Sequence, residues 1–182
     1  MVAGHYAMSL VAYERQRQGP LWLFLFAGIF LDLLMIGLVL AGVEVMAPPP
    51  GAVRPHFASM VVDMSYSHDV VPVVVWAAAM AAFAYVVTRN RAVALWAAGL
   101  VVVHEVADFV SGFSHFIHGP GTAEVGLGLY GRAPLAALGV ELLVAVACVW
   151  WFGHRTQLSA RRRLALYALA VGGVAALLPL AL

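Results

Sequence analysis

"VVVHEVADFVSGFSHFIHGP", residues 101–120, starts as an apolar run suited to a lipid bilayer, then carries three histidines, a glutamate and an aspartate before a Gly-Pro stop. An ionisable side chain at the centre of a bilayer costs at least ~2.5 kcal/mol unless it faces protein or trapped water. At about 100° and 1.5 Å per residue, a helix brings His104, Asp108, Ser111, His115 and His118 within roughly 40° of one line, over about 21 Å. Such a stripe predicts a membrane helix packed inside a bundle, stripe inward. Glu105 falls about 100° off that line and needs a different neighbour.

The rest of the chain agrees with a membrane setting. Of 182 residues, 64% are hydrophobic and 10% charged, and the mean hydropathy is +0.94, far from the range of soluble domains. Apolar stretches of spanning length run at about 21–47, 70–88, 92–118, 135–152 and 164–182. The expected fold is therefore all-α, a polytopic transmembrane helix bundle of about five spans. It occupies residues 20–182 as a single domain, after a short cytoplasmic lead-in at 1–19. Five alternating spans put Arg15, Arg17, Arg89, Arg91, Arg155, Arg161, Arg162 and Arg163 on one side and only Arg54 and Arg132 on the other. Short cytoplasmic loops retain positive charge, so the N-terminus is expected inside and the loops 48–69 and 119–134 outside. A net charge of +1 argues against a nucleic-acid partner. Cys148, the single cysteine, sits in an apolar run and excludes both a disulfide framework and a thiolate metal cluster.

Depth along the helices suggests which groups meet. Asp32 lies eleven residues above the inner end of the first span and His104 twelve above that of the third, so helix rise brings them level. Glu44, Asp108, Glu141, His115 and His118 follow toward the outer surface, and "DMSYSHDVVP" (63–72) leads into the second span, with Ser67 or Asp69 as helix cap. His104-x-x-x-Asp108 sets an imidazole and a carboxylate one turn apart, able to share one cation. With His68 and Asp32 from two other helices this becomes a nitrogen–oxygen donor set that suits a divalent metal, Zn²⁺ first, with Mn²⁺ or Fe²⁺ as alternatives. His104 and His118 are too far apart on a straight helix to share one ion. The ligands therefore come from the 104/108 end, the favoured case, or from the 115/118 end if the helix breaks at Ser111-Gly112. His5, His56 and His154, in polar or terminal segments, read as solvated.

An acid inside the first long helix, "YSHDV" at 66–70 and "VHEVADF" at 103–109 together resemble the bacterial membrane proteins known as membrane-bound metal-dependent hydrolases. That family has Pro-Asp in an early helix, a Thr/Ser-His-Ser step and a later Ser-His-x-x-x-Asp. The resemblance covers roughly residues 20–152. It extends to a smaller branch with a "YSHSL" step, a histidine beyond the aspartate and a "GLGLW" segment, matched here by His115 or His118 and "GLGLY" at 126–130. It implies that Asp32, His68, His104 and Asp108 are metal-site residues and that the chain lies in a bacterial cytoplasmic membrane. Leu31, Val103 and Asp69 stand where the family has proline, serine and a small hydroxyl residue, and Leu34 where a second acid is frequent.

The function these features lead to is metal-dependent hydrolysis of a lipid-like ester or phosphoester at the outer interface, with membrane lipids and an amphiphilic small molecule as partners. The general base is one of Asp69, Glu141 and Glu44, carboxylates near that end with no ligand role. A transporter or proton relay is the alternative, and a non-enzymatic, haem-binding membrane subunit is a further one. The inner halves of spans two to four are almost purely Ala, Val, Leu and Trp, which gives a relay no polar inner end.

Overall fold

The computed structural model describes all residues, Met1–Leu182. In chain order the elements are helix α1 (Val2–Arg15), α2 (Leu21–Leu40), strand β1 (Val45–Ala47), a 3-10 turn at Phe57–Ser59, β2 (Val61–Asp63), α3 (Val70–Thr88), α4 (Arg91–Ser111), β3 (His115–Phe116), β4 (Glu124–Val125), α5 (Leu129–Arg132), α6 (Pro134–Arg155), α7 (Ala160–Ala175) and α8 (Leu178–Ala181). The strands form two small antiparallel ribbons, β1 with β2 and β3 with β4. Five helical segments are long and apolar enough to cross a membrane: Leu21–Leu40, Val70–Thr88, Arg91–Ser111, Pro134–Arg155 and Ala160–Ala181. The chain is an all-α polytopic bundle, as its composition predicts.

The long helices alternate in direction. The α2, α4 and α7 helices end where α3 and α6 begin, and both ribbons gather at that end. At the opposite end Arg15, Arg17 and Arg155 converge on Glu14 at 3.9, 3.8 and 3.7 Å, and the Arg15 guanidinium lies over the Trp151 ring. Helix starts follow local chemistry. The Asn90 side chain accepts from the Ala92 and Val93 N–H groups to cap α4, and Pro134 occupies the first turn of α6, where its missing N–H costs nothing.

Three expectations change. The residues read as a cytoplasmic lead-in form α1, a helix inside the bundle, with Ala3, Gly4, His5, Ala7, Ser9 and Ala12 buried. Fourteen residues are too few to span a bilayer alone, so α1 is held by packing on α2, α6 and α7. The first span stops at Leu40, short of Glu44, and the chain turns at Gly42 with φ +72°. The third stops at Ser111, leaving His115 in β3 and His118 in the loop beyond it.

One close approach fixes α1 against α2. A Cβ at Gly28 would collide with the Ser9 side chain and come within 3.1 Å of the His5 carbonyl oxygen. Glycine there lets the two backbones meet, as small residues do between membrane helices. The buried face of α4 comprises Val93, Ala94, Ala97, Leu100, Val101, His104, Glu105, Asp108 and Ser111. It begins apolar at the arginine end and becomes polar where the other helices bring their own ionisable groups.

Candidate metal centre

His104 and Asp108 lie one turn apart on α4, with His104 Nε2 3.4 Å from Asp108 Oδ2. From α2, Asp32 brings Oδ1 to 3.7 Å from His104 Nε2. From α1, His5 Nε2 lies 3.3 Å from Asp108 Oδ1, and its ring stacks on His104 with centroids 3.5 Å apart and planes at 11°. One donor atom each from His5, Asp32, His104 and Asp108 fall within 4.8 Å of one another. Ligands about 2.0–2.1 Å from one tetrahedral ion stand roughly 3.3 Å apart, close to these spacings, and with the His5 and His104 rings stacked, one ring must tilt for both to aim at the same ion. The four residues could hold a metal ion. The Met1 amino group also reaches Asp108 Oδ1, at 2.7 Å.

His68, in the loop that enters α3, stands at the rim. Its Nε2 is 3.9 Å from Asp108 Oδ2 and 4.0 Å from Asp32 Oδ1. Hydrogen bonds behind the rings decide which nitrogen faces inward. The Gly28 carbonyl, 2.7 Å from His104 Nδ1, can only accept, so Nδ1 carries the proton and Nε2 presents a lone pair to the cluster. The Ser67 hydroxyl donates to Glu44 Oε2 and therefore accepts from His68 Nδ1 at 2.8 Å. Its Nε2 lone pair likewise faces Asp32 and Asp108. Such bonds fix tautomer and ring angle in metal sites. Desolvation, reinforced by the neighbouring His104, holds the His68 imidazole well below its usual pKa, in the neutral form that binds metals.

Several buried atoms of the cluster have no hydrogen-bond partner: both ring nitrogens of His5, His104 Nε2 and Asp32 Oδ2. Buried polar atoms are nearly always paired. A shared cation would pair these together, which is the observation that best fits the site to a metal.

The three carboxylates expected to supply a general base have other work. Glu44 accepts from the Tyr66 and Ser67 N–H groups as well as the Ser67 hydroxyl. Asp69 accepts from the Phe116 and Gly119 N–H groups and ties β3 to the start of α3. It occupies the cap position of α3 but makes no capping bond. Glu141 accepts from the Ala3 N–H at 2.7 Å and the Tyr130 hydroxyl at 2.8 Å, anchoring the start of α1. Burial, with Glu141 adding to it, raises the Tyr130 pKa, so its phenol stays a donor.

The span-three histidines divide. His118 is exposed, outside the site, and its backbone N–H bonds the Thr122 hydroxyl. His115 is buried, its ring 5.7 Å from that of His68, and its Nδ1 is 3.9 Å from Glu105 Oε1. Neither ring nitrogen of His115 nor either oxygen of Glu105 has a hydrogen-bond partner. His115 is thus the neighbour that off-stripe Glu105 required, and desolvation lowers its pKa.

His5 is the ligand candidate that the sequence reading places in solvent, yet it is 1% exposed. A signal exists in "VAGHYAMSLVA" (2–12), where Ser9 shares a face with His5 and Ala3 and Ala7 make the opposite one, so both sides offer small residues of the kind that pack between membrane helices.

Over the cluster lies a cavity of about 150 Å³ whose polar wall is Asp32, His68 and Asp108 and whose apolar wall includes Met35, Met46, Met64, Phe57 and Leu177. Comparison with known families, with curated proteins and with solved structures finds no match. The site must be interpreted from its own chemistry.

Proposed function

We propose that this chain is a metal-dependent hydrolase of a bacterial cytoplasmic membrane, acting on a lipid-like ester or phosphoester at the outer interface. The observation that carries this reading is the close set of donors from His5, Asp32, His104 and Asp108, with the His5 nitrogens, His104 Nε2 and Asp32 Oδ2 unpaired, next to a mostly apolar cavity that Asp32 and Asp108 line. In this reading His5, Asp32, His104 and Asp108 hold the cation. Donors of this kind, without thiolate, favour Zn²⁺, with Mn²⁺ and Fe²⁺ as alternatives. A divalent cation there supplies a Lewis acid that polarises the scissile group and activates water. The chain's own residues do the rest. Gly28 and the Ser67–Glu44 pair orient His104 and His68, and the apolar wall excludes bulk water. His68, its Nε2 lone pair facing Asp32 and Asp108, stands ready to add a further donor.

The resemblance carried by "YSHDV" and "VHEVADF" supports the same reading, and the arginine-rich end supports a cytoplasmic assignment for that side. A relay has less support, because on α2, α3 and α4 the buried residues toward the arginine end are Leu23, Phe24, Ala84, Val93 and Ala94. A haem site has less too, since the cavity over the histidines is too small for a macrocycle.

Elemental analysis of the purified protein tests the site. Wild type should carry about one divalent metal per chain, and His104→Ala and Asp108→Ala should lose it. Unchanged metal in both variants would sink the assignment. Chelator-sensitive cleavage of a fluorogenic lipid ester, restored by Zn²⁺ or Mn²⁺, tests the reaction.

A further inference from the structure

Two apolar hollows in this bundle share one residue. The cavity over the cluster includes Val2 in its wall. So does a larger groove of about 520 Å³ that runs toward the arginine end between α2 and α7. The floor of that groove is α1, through Ala3, Ala7 and Leu10, and its walls include Leu25 and Leu166. From Val2 to Leu10 the floor runs for about 12 Å, and its volume lies within the roughly 300–1,000 Å³ of ordinary ligand sites. Both walls belong to membrane-spanning segments, so the groove is open to acyl chains.

Apolar burial alone gives no preference here, because lipid tails are as apolar as the groove. What distinguishes this groove from any other apolar face is that Val2, at its near end, also lines the cavity walled by Asp32, His68 and Asp108, so only that residue stands between the two hollows. A cation on that wall attracts a phosphate or ester oxygen, so an amphiphile lying in the groove is held at its polar end and aligned along its chain. A partner helix could fill the groove but has no use for the donor cluster.

We propose that the α2–α7 groove seats an acyl chain of an amphiphile whose polar head reaches the histidine–carboxylate cluster, so that the ligand enters sideways from the bilayer. The fate of the head rests on the hydrolase reading; the seating of the chain does not.

The test uses the full chain in nanodiscs of phosphatidylethanolamine and phosphatidylglycerol, with a trace of phosphatidylethanolamine carrying a diazirine in its acyl chain. After illumination, peptide mapping locates the label. Expected is labelling at Tyr6, Leu10, Leu166 and Leu169 several-fold above that on Val74 and Val75, which are lipid-facing residues of α3. Leu10→Trp and Leu166→Trp, which fill the far part of the groove, should each return labelling to the α3 level while bound metal stays at the wild-type value, which shows that the bundle is intact. Labelling no greater in the groove than on α3, or unchanged in both filled variants, overturns the proposal. Enriched labelling with no cleavage of a lipid ester supports the groove and counts against the hydrolase reading alone; cleavage without enrichment does the reverse.

Discussion

Replacing His5 is the sharpest test of the centre, because that residue enters only through the packing of α1. Sites with four protein ligands bind Zn²⁺ with about 10–16 kcal/mol, so one donor in four carries roughly 3 kcal/mol. Its loss should raise the Kd about a hundredfold. His5→Ala also removes a ring stacked 3.5 Å from His104, so its melting temperature mixes packing with ligation. His5→Phe keeps an aromatic ring there without a donor nitrogen and isolates the second effect. The assay is competition for Zn²⁺ against a chromogenic chelator in detergent, with His154→Ala as control, an exposed histidine stacked on Trp150. Both His5 variants should weaken binding by about two orders of magnitude and His154→Ala should not. Wild-type affinity in His5→Phe would refute the assignment of His5 as a donor and leave it a packing residue.

Three further substitutions probe the supports. Gly28→Ala should destabilise the bundle by about 1–3 kcal/mol by overpacking and weaken metal binding, since the methyl meets Ser9 and the His5 carbonyl. Adding Ser9→Gly should restore part of both, read by thermal unfolding and chelator competition. Glu44→Gln removes the acceptor for the Ser67 hydroxyl and should lower turnover about 10–100-fold through misoriented His68; wild-type kcat would exclude that role. Asp69→Ser strands the Phe116 and Gly119 N–H groups, so hydrogen exchange over 115–119 should rise while the metal Kd stays unchanged; a large drop in bound metal would instead make Asp69 a ligand.

The spans were legible because a helix completes its backbone bonds within one segment and crosses a bilayer only as a long apolar run. The ends were less so. Gly42 and Gly112 interrupt the first and third runs without changing their hydropathy, so Glu44 and His115 read as helical and are not. The α1 helix escaped because its buried face is built of Ala, Gly and Ser, and composition does not separate such a face from a polar tail. Within the site, His104 and Asp108 followed from helical spacing and Asp32 from depth. His5 followed from neither, since its place depends on α1 folding back along α2 at Gly28.

Sequence alone could not sort the carboxylates, and hydrogen bonding does. At the end where the chain leaves its helices, backbone N–H groups lie partly buried with no helical partner, and in a low-dielectric setting each needs an acceptor. Glu44 serves Tyr66 and Ser67, Asp69 serves Phe116 and Gly119, and Glu141 serves the first turn of α1 at Ala3. These three acids hold irregular backbone in place. Asp32 and Glu105 keep oxygens with no such duty, and they lie beside histidines in the same condition, Asp32 by His104 and Glu105 by His115. Charge is alike in both groups; what separates them is whether the backbone has already claimed their lone pairs. By that criterion Asp32 is the acid left free beside His5 and His104, and Glu105 with His115 forms a second unpaired set nearby.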